Sequence, residues 1–186
     1  MNKKHKIKME IHIIACLDEN NAIGYKNELL FRIVKDMRFF REKTLNTTII
    51  MGRKTAESLP SMRPLKGRQN IVLTRNGDSE IVRTLRNRGF TCVTSWEHAM
   101  IASTNEIIYV IGGAQIYESA LERDIVTSMF LTHVHTSFEA PEEEENPNEE
   151  DNYSYFPHIP ENFSESIIRE ENDDEIPFHI SHYMLI

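Results

Sequence analysis

The chain has 186 residues, 21 basic and 29 acidic side chains, and a formal net charge of −8 at pH 7. That balance excludes a general nucleic-acid binder, which needs a lysine- and arginine-rich face to displace counterions from phosphates. A hydrophobic content of 40% with nine Phe, six Tyr and one Trp is that of a folded protein, and the length suits one domain.

Residues 1–9 read as a basic tail. Glu10 and His12 interrupt the apolar run that a secretion signal would need, and no apolar run is long enough to cross a bilayer. Short apolar or β-branched runs at 11–17, 48–51, 70–74, 91–94, 107–111 and 129–134 read as strands covered on both faces. Helical patterns lie between them at 33–45, 55–59, 96–102 and 114–121, with Ser95 placed to cap the third. Arg75-Asn76-Gly77 reads as a turn, and 78–89 fits helix and loop equally. The segment 164–170 and the segment 177–186 read as closing strands, too close together for a helical crossover and therefore antiparallel. The fold class is α/β, three-layered, with a mainly parallel central sheet, helices on both faces and ligands at the carboxyl ends of the strands.

Between Glu139 and Asp151 lie eight of the acids and no base, so the rest of the chain holds as many acids as bases. The expectation is a single domain over 10–186 with an acidic loop insertion at 139–152, solvated and extended by self-repulsion. A calcium or partner site is the alternative, although the spacing is not that of an EF-hand loop. Cys16 and Cys92 both sit in apolar runs and cannot make a disulfide framework, which favours a cytoplasmic location.

Three segments could carry chemistry. Helical spacing places Asp36 on one face with Ile33, Met37 and Phe40. A carboxylate there either is desolvated, and so suited to a cationic or amidine-like ring, or simply satisfies the helix N-terminus. Gly52-Arg53-Lys54-Thr55 joins a strand to a helix and offers backbone N–H groups, two cations and a hydroxyl to an anion. Ile111-Gly112-Gly113-Ala114-Gln115-Ile116-Tyr117 is a second such junction, whose paired glycines permit close approach of a ligand. Neither is a Rossmann or Walker fingerprint. Two junctions in one small domain suit a dinucleotide carrying an extra phosphate. The eight histidines show no metal-ligand spacing; His133 and His135 share one face of a strand and read as core or edge residues, so no metal is expected. Cys16 reads as a small hydrophobe rather than a nucleophile.

Taken in order, these segments resemble dihydrofolate reductase. The matching strings are Ile11 to Leu17, Ala22-Ile23-Gly24, Asn27-Glu28-Leu29-Leu30-Phe31, Asp36-Met37-Arg38-Phe39-Phe40, Ile49 to Leu59, Pro64-Leu65-Lys66-Gly67-Arg68, Ile111 to Tyr117, Leu131-Thr132-His133 and Phe156-Pro157. The resemblance implies NADPH-dependent reduction of 7,8-dihydrofolate to 5,6,7,8-tetrahydrofolate, feeding one-carbon metabolism and thymidylate synthesis, by a monomer with no nucleic-acid or membrane partner. The competing readings are a binding relative without turnover and a same-fold reductase of another pterin or pyrimidine.

By the same resemblance, Asp36 is the family's essential acid, Thr132 bonds to it, and Phe31 belongs to the loop over the active site. Ile14, Ala15, Met37, Phe40, Leu59, Leu65 and Ile111 match the substrate walls, and Arg68 matches the arginine that forks onto the glutamate carboxylate. Gly52, Arg53, Lys54 and Thr55 match one cofactor junction, with Leu73, Thr74 and Arg75 at the 2′-phosphate and adenine end. Gly112 and Gly113 match a pair joined by a cis peptide, and Ala15, Ile23, Gly24, Ile111, Ala114, Gln115, Ile116 and Tyr117 match further cofactor contacts. Leu30-Phe31 stands where the family usually has Pro-Trp. Tyr153 and Ser154 stand where an aspartate and a threonine usually latch that loop.

Overall fold

The computed structural model describes residues 9–140, 152–172 and 176–186. The basic tail, apart from Met9, and residues 141–151 of the expected acidic insertion lie outside the described residues. The chain runs β1 (Glu10–Leu17), β2 (Ala22–Tyr25), α1 (Val34–Thr44), β3 (Thr48–Gly52), α2 (Arg53–Ser58), a single 3-10 turn (Pro60–Met62), β4 (Gln69–Leu73), α3 (Glu80–Asn87), β5 (Thr91–Val93), α4 (Trp96–Ala102), β6 (Ile107–Val110), α5 (Ala114–Glu122), β7 (Ser128–Val134), β8 (Tyr153–Tyr155), β9 (Phe163–Glu171) and β10 (Phe178–Leu185).

An eight-stranded sheet in the order β5-β4-β3-β6-β1-β7-β10-β9 forms the centre. Its pairings are parallel from β5 to β7, and β10 then runs antiparallel to both β7 and β9. Alternation along each strand divides the core between the two faces. Ile13, Met129 and Leu131 pack with Trp96, Ala99 and Tyr117 on one face. Ile14, Phe130 and Ile180 pack with Phe39 and Leu85 on the other. Ile49, Ile50 and Met51 are fully buried, as a continuous apolar strand between two covered faces requires.

The expected strands and helices all form, within two residues at most ends, and the closing pair is antiparallel. The ambiguous stretch resolves as α3, whose Val82 and Leu85 are three residues apart and fully buried. Ser95 caps α4, its Oγ accepting from the His98 amide at 3.2 Å. What the sequence did not announce is a second sheet of β2 and β8, four and three residues long. Segments that short carry no readable period.

Asp18, at the end of β1, organises the connection to β2 and was not singled out above. It is 3% exposed. Its Oδ1 accepts from the amides of Asn20 and Ala22, both at 2.8 Å, and Oδ2 accepts from the amide of Phe138 at 3.0 Å. One carboxylate therefore ties the turn after β1 to the segment after β7. Asp18→Ala would strand these donors, and a urea titration is expected to show a loss of about 3 kcal/mol.

Candidate functional site

The sheet order brings the carboxyl ends of β4, β3, β6, β1 and β7 side by side. Along that edge lie Leu73 to Arg75, Gly52, Ile111 to Gly113, Ala15 to Leu17 and Thr132. Thr132 is paired in register with Cys16. It is 2% exposed, and its Oγ1 donates to Asp36 Oδ1 at 2.6 Å, fixing α1 against β7. Among the described residues this is the hydrogen bond Asp36 makes. The carboxylate therefore bonds to a neighbouring strand, while its place in the first turn of α1 also keeps it near the helix N-terminus.

Burial pushes the Asp36 carboxyl above its ordinary pKa, and the Thr132 hydroxyl only partly opposes it. The neighbouring Cys16 thiol is pushed well up, first by burial and then by Asp36 and Asp18. That keeps it protonated and removes it as a nucleophile.

Met37 departs from expectation. It is 52% exposed, while Phe39 takes the core position. At 100° per residue the buried arc of α1 runs through Phe39, Lys43, Asp36, Phe40, Ile33 and Thr44, and Met37 lies at its margin. Phe31, Phe40, Leu59, Leu65 and Ile111 are partly buried against the core that contains Ile14. The Arg68 guanidinium lies 5.8 Å from the Phe40 ring, and its Nη1 donates to Thr44 Oγ1 at 2.9 Å.

The two glycine junctions meet. The Gly52 amide donates to the Gly112 carbonyl at 2.7 Å, and the bond between Gly112 and Gly113 is cis. A Cβ on Gly52 would lie 3.0 Å from Ile116 Cγ1, and one on Gly113 would lie 3.5 Å from Thr55 Oγ1. Tyr117 lies beneath Gly112, its hydroxyl donating to the Ile14 carbonyl at 2.9 Å. Ala114 and Ile116 are half-buried and Gln115 is exposed at the start of α5; Thr74 is half-buried and Arg75 exposed beyond β4.

Arg53 and Lys54 line an open cavity of about 320 Å³ with Glu57, Ser58 and the turn residues Lys26, Asn27 and Glu28. Arg53 is ion-paired to Glu57. Sequence reasoning missed Lys26 as a wall of this cavity; the turn it begins, with positive φ at Lys26 and Asn27, was the available signal.

At the positions where the resemblance places an aspartate and a threonine as a loop latch, Tyr153 and Ser154 lie instead in a short paired strand. Ile23 and Gly24 lie in β2, which runs antiparallel to β8 with Gly24 opposite Ser154 and Tyr25 opposite Tyr153. The Tyr25 and Tyr153 rings stand 4.8 Å apart, and Phe138 lies 5.7 Å from Tyr25 and 6.1 Å from Phe31. Backbone bonds and an aromatic cluster thus hold a segment for which carboxylate and threonine side chains were the expected means.

Residues 10–184 match the family described as dihydrofolate reductase. The chain is 37% identical over 127 residues to a dihydrofolate reductase of Buchnera aphidicola, a stretch covering 68% of this chain and 73% of that protein. It is 38% identical over 130 residues to that of Bacillus subtilis, covering 69% and 71% of the two chains. Among solved structures, a dihydrofolate reductase from Enterococcus faecalis complexed with NADP(H) and RAB-propyl aligns over 95% of this chain and 96% of its own, with a TM-score of 0.74 at 24% identity. That last likeness concerns the fold.

Proposed function

The chain belongs to the dihydrofolate reductase family, and on that premise we infer that it reduces 7,8-dihydrofolate to 5,6,7,8-tetrahydrofolate with NADPH. The observation that carries this reading is the Thr132-to-Asp36 hydrogen bond, which holds a desolvated carboxylate on the strand edge that also carries both glycine junctions.

Asp36 Oδ2 is left to accept from the pterin 2-amino group and N3 side, while Thr132 holds Oδ1. Ile14, Ala15, Phe31, Met37, Phe40, Leu59, Leu65 and Ile111 form the apolar walls that orient the rings and exclude water. Exposure of Met37 suits a wall residue waiting for a ligand rather than a core residue. Arg68, braced by Thr44, meets the glutamate carboxylate.

The residues at the paired junctions fit NADPH, because Gly113 carries no side chain that would fill the space beside Thr55, while Gly52 packs against Ile116, where a Cβ would lie 3.0 Å away, and so keeps the two junctions close together. Gly52, Lys54, Thr55, Gly112, Gly113, Ala114, Gln115 and Ile116 would hold the pyrophosphate side, with Ala15, Ile23, Gly24, Ile111 and Tyr117 toward the nicotinamide. Arg53, Leu73, Thr74 and Arg75 would hold the 2′-phosphate and adenine end. When bound, NADPH supplies a hydride to C6 of the substrate, and N5 takes a proton by way of water. Asp36 holds the ring in the orientation that transfer needs and stabilises the charge that develops.

The same reading makes the protein a cytoplasmic monomer, its domain spanning 10–186 with the acidic insertion at 139–152. Among the described residues no helix is long and apolar enough to cross a membrane. Loss of NADPH absorbance on adding dihydrofolate is the direct test; NADPH binding without consumption would overturn the reading. Arg53→Ala is expected to raise the KM for NADPH about ten- to hundred-fold, the worth of a charge-assisted phosphate contact, while leaving the KM for NADH nearly unchanged.

A further inference from the structure

Sequence spacing along β7 pairs His133 only with His135, but the fold adds partners from two other strands. His133 lies directly opposite His179 of β10, and the two rings stack with centroids 4.8 Å apart. Glu165 of the edge strand β9 lies over the same face, where it accepts from Ser181 Oγ at 2.6 Å and is also hydrogen-bonded to its register partner Tyr183. The ligand atoms of His133, Glu165 and His179 all lie within 4.8 Å of one another. Ser181, two residues from both His179 and Tyr183 on the same face, is fully buried and supplies the hydroxyl that holds Glu165 over the two strands.

We propose that His133, Glu165 and His179 form a binding site for a late first-row divalent metal ion such as Zn²⁺, clamping β7, β9 and β10 together. Two imidazoles and a carboxylate are the donor set such ions prefer, with water completing a tetrahedron. Bonds of ~2.0–2.2 Å require ligand atoms about 3.4 Å apart, so the three groups need to close by roughly 1 Å. Glu165 is exposed and free to make that movement, and the half-buried imidazoles leave a path from solvent.

The surroundings match what metal ligands need. His179 Nδ1 is hydrogen-bonded to His135 Nε2 at 2.7 Å, which fixes the ring; in the tautomer with the proton on His179 Nδ1, its Nε2 lone pair is left for a metal. The Tyr183 hydroxyl lies 3.1 Å from His133 Nε2 and orients that ring in the same way. Burial lowers the pKa of both imidazoles, reinforced at His133 by His179 and at His179 by His135, so both are neutral at pH 7. Burial acts to raise the Glu165 carboxyl, but hydrogen bonds from Ser181 and Tyr183 and the nearby imidazoles outweigh it and keep the group ionised. The site lies on the sheet face opposite Thr132 and Asp36, since His133 and Thr132 are adjacent on one strand. It is therefore separate from the reductase chemistry.

The test uses the full chain stripped with a chelator and titrated with Zn²⁺ by calorimetry. One site is expected, with His179→Gln and Glu165→Gln each weakening it at least about ten-fold while NADPH consumption in metal-free buffer is unchanged. On the unsubstituted chain, Zn²⁺ should shift the ring NMR signals of His133 and His179 before those of His12, His98 and His158. Equal affinity in both variants, or first shifts at the other histidines, would overturn the proposal.

Discussion

Asp36→Asn is expected to lower turnover about 10²- to 10⁴-fold at neutral pH while leaving NADPH binding near normal. The substitution keeps the shape and keeps an oxygen for Thr132 to donate to, so the 2.6 Å tie between β7 and α1 can persist. It removes the negative charge and replaces an acceptor with a donor where the substrate presents N–H groups. Two donors then face each other in a desolvated place, an arrangement that costs more than a missing bond. Single-turnover kinetics with saturating NADPH would measure the loss. Near-normal turnover would remove Asp36 from the chemistry.

The same variant has an opposite effect on stability. Burial raises the Asp36 pKa in the folded state above its unfolded value, so ionisation favours the unfolded chain. Below the unfolded-state pKa the group is protonated in both states and carries no penalty. As pH rises through the folded-state pKa the penalty grows to its full value and then stays constant. Asp36→Asn has no such group to ionise. In the absence of ligands it is therefore expected to melt above the unsubstituted protein at pH 7, with the advantage shrinking as pH falls toward the ordinary carboxylate range. Thermal melts across pH would check this, and an advantage that grew on acidification would contradict the sign. A site residue that lowers stability is what catalysis by a desolvated charge entails.

The parallel body was legible because its strands are continuous apolar runs and its helices carry a clear period, so β3, β6 and β7 announce themselves. Asp36 was legible for a related reason: a lone acid on an apolar helix face stands out against its neighbours. The partners of these groups were not. Thr132 is 96 residues from Asp36 and touches it only through the β1–β7 register and the seating of α1; it came from the family resemblance alone. Asp18 looks like an ordinary turn acid, because backbone amides as ligands leave no trace in side-chain pattern. The histidine cluster was hidden for the same reason, since it assembles across strands whose pairing the sequence does not display.

Gly112→Ala is the substitution expected to damage the fold and the site together. Gly112 has φ +108, a region L side chains rarely adopt, and holding alanine there costs ~1–3 kcal/mol. Its Cβ would also fall 3.1 Å from the Tyr117 hydroxyl and 3.3 Å from two ring carbons, so the ring must shift. Tyr117 is buried, and burial pushes its hydroxyl pKa up, keeping it a donor to the Ile14 carbonyl. Displacing the ring loses that bond, worth ~1–3 kcal/mol when a buried partner is left unpaired. Together these give a loss of about 2–6 kcal/mol, a large part of the ~5–15 kcal/mol that keeps a domain folded. Tyr117→Phe isolates the hydroxyl and should account for only the second share. Gly113→Ala is a control in the same junction, because its Cβ meets Thr55 Oγ1 at an ordinary 3.5 Å and its φ of −81 is open to any residue. That variant should remain nearly as stable as the unsubstituted chain yet bind NADPH less well, since its methyl group enters the space assigned to the cofactor. Denaturant titrations of the three variants, paired with NADPH binding, would separate the two roles: a stable Gly112→Ala would remove the backbone argument, and undiminished NADPH binding by Gly113→Ala would remove the cradle.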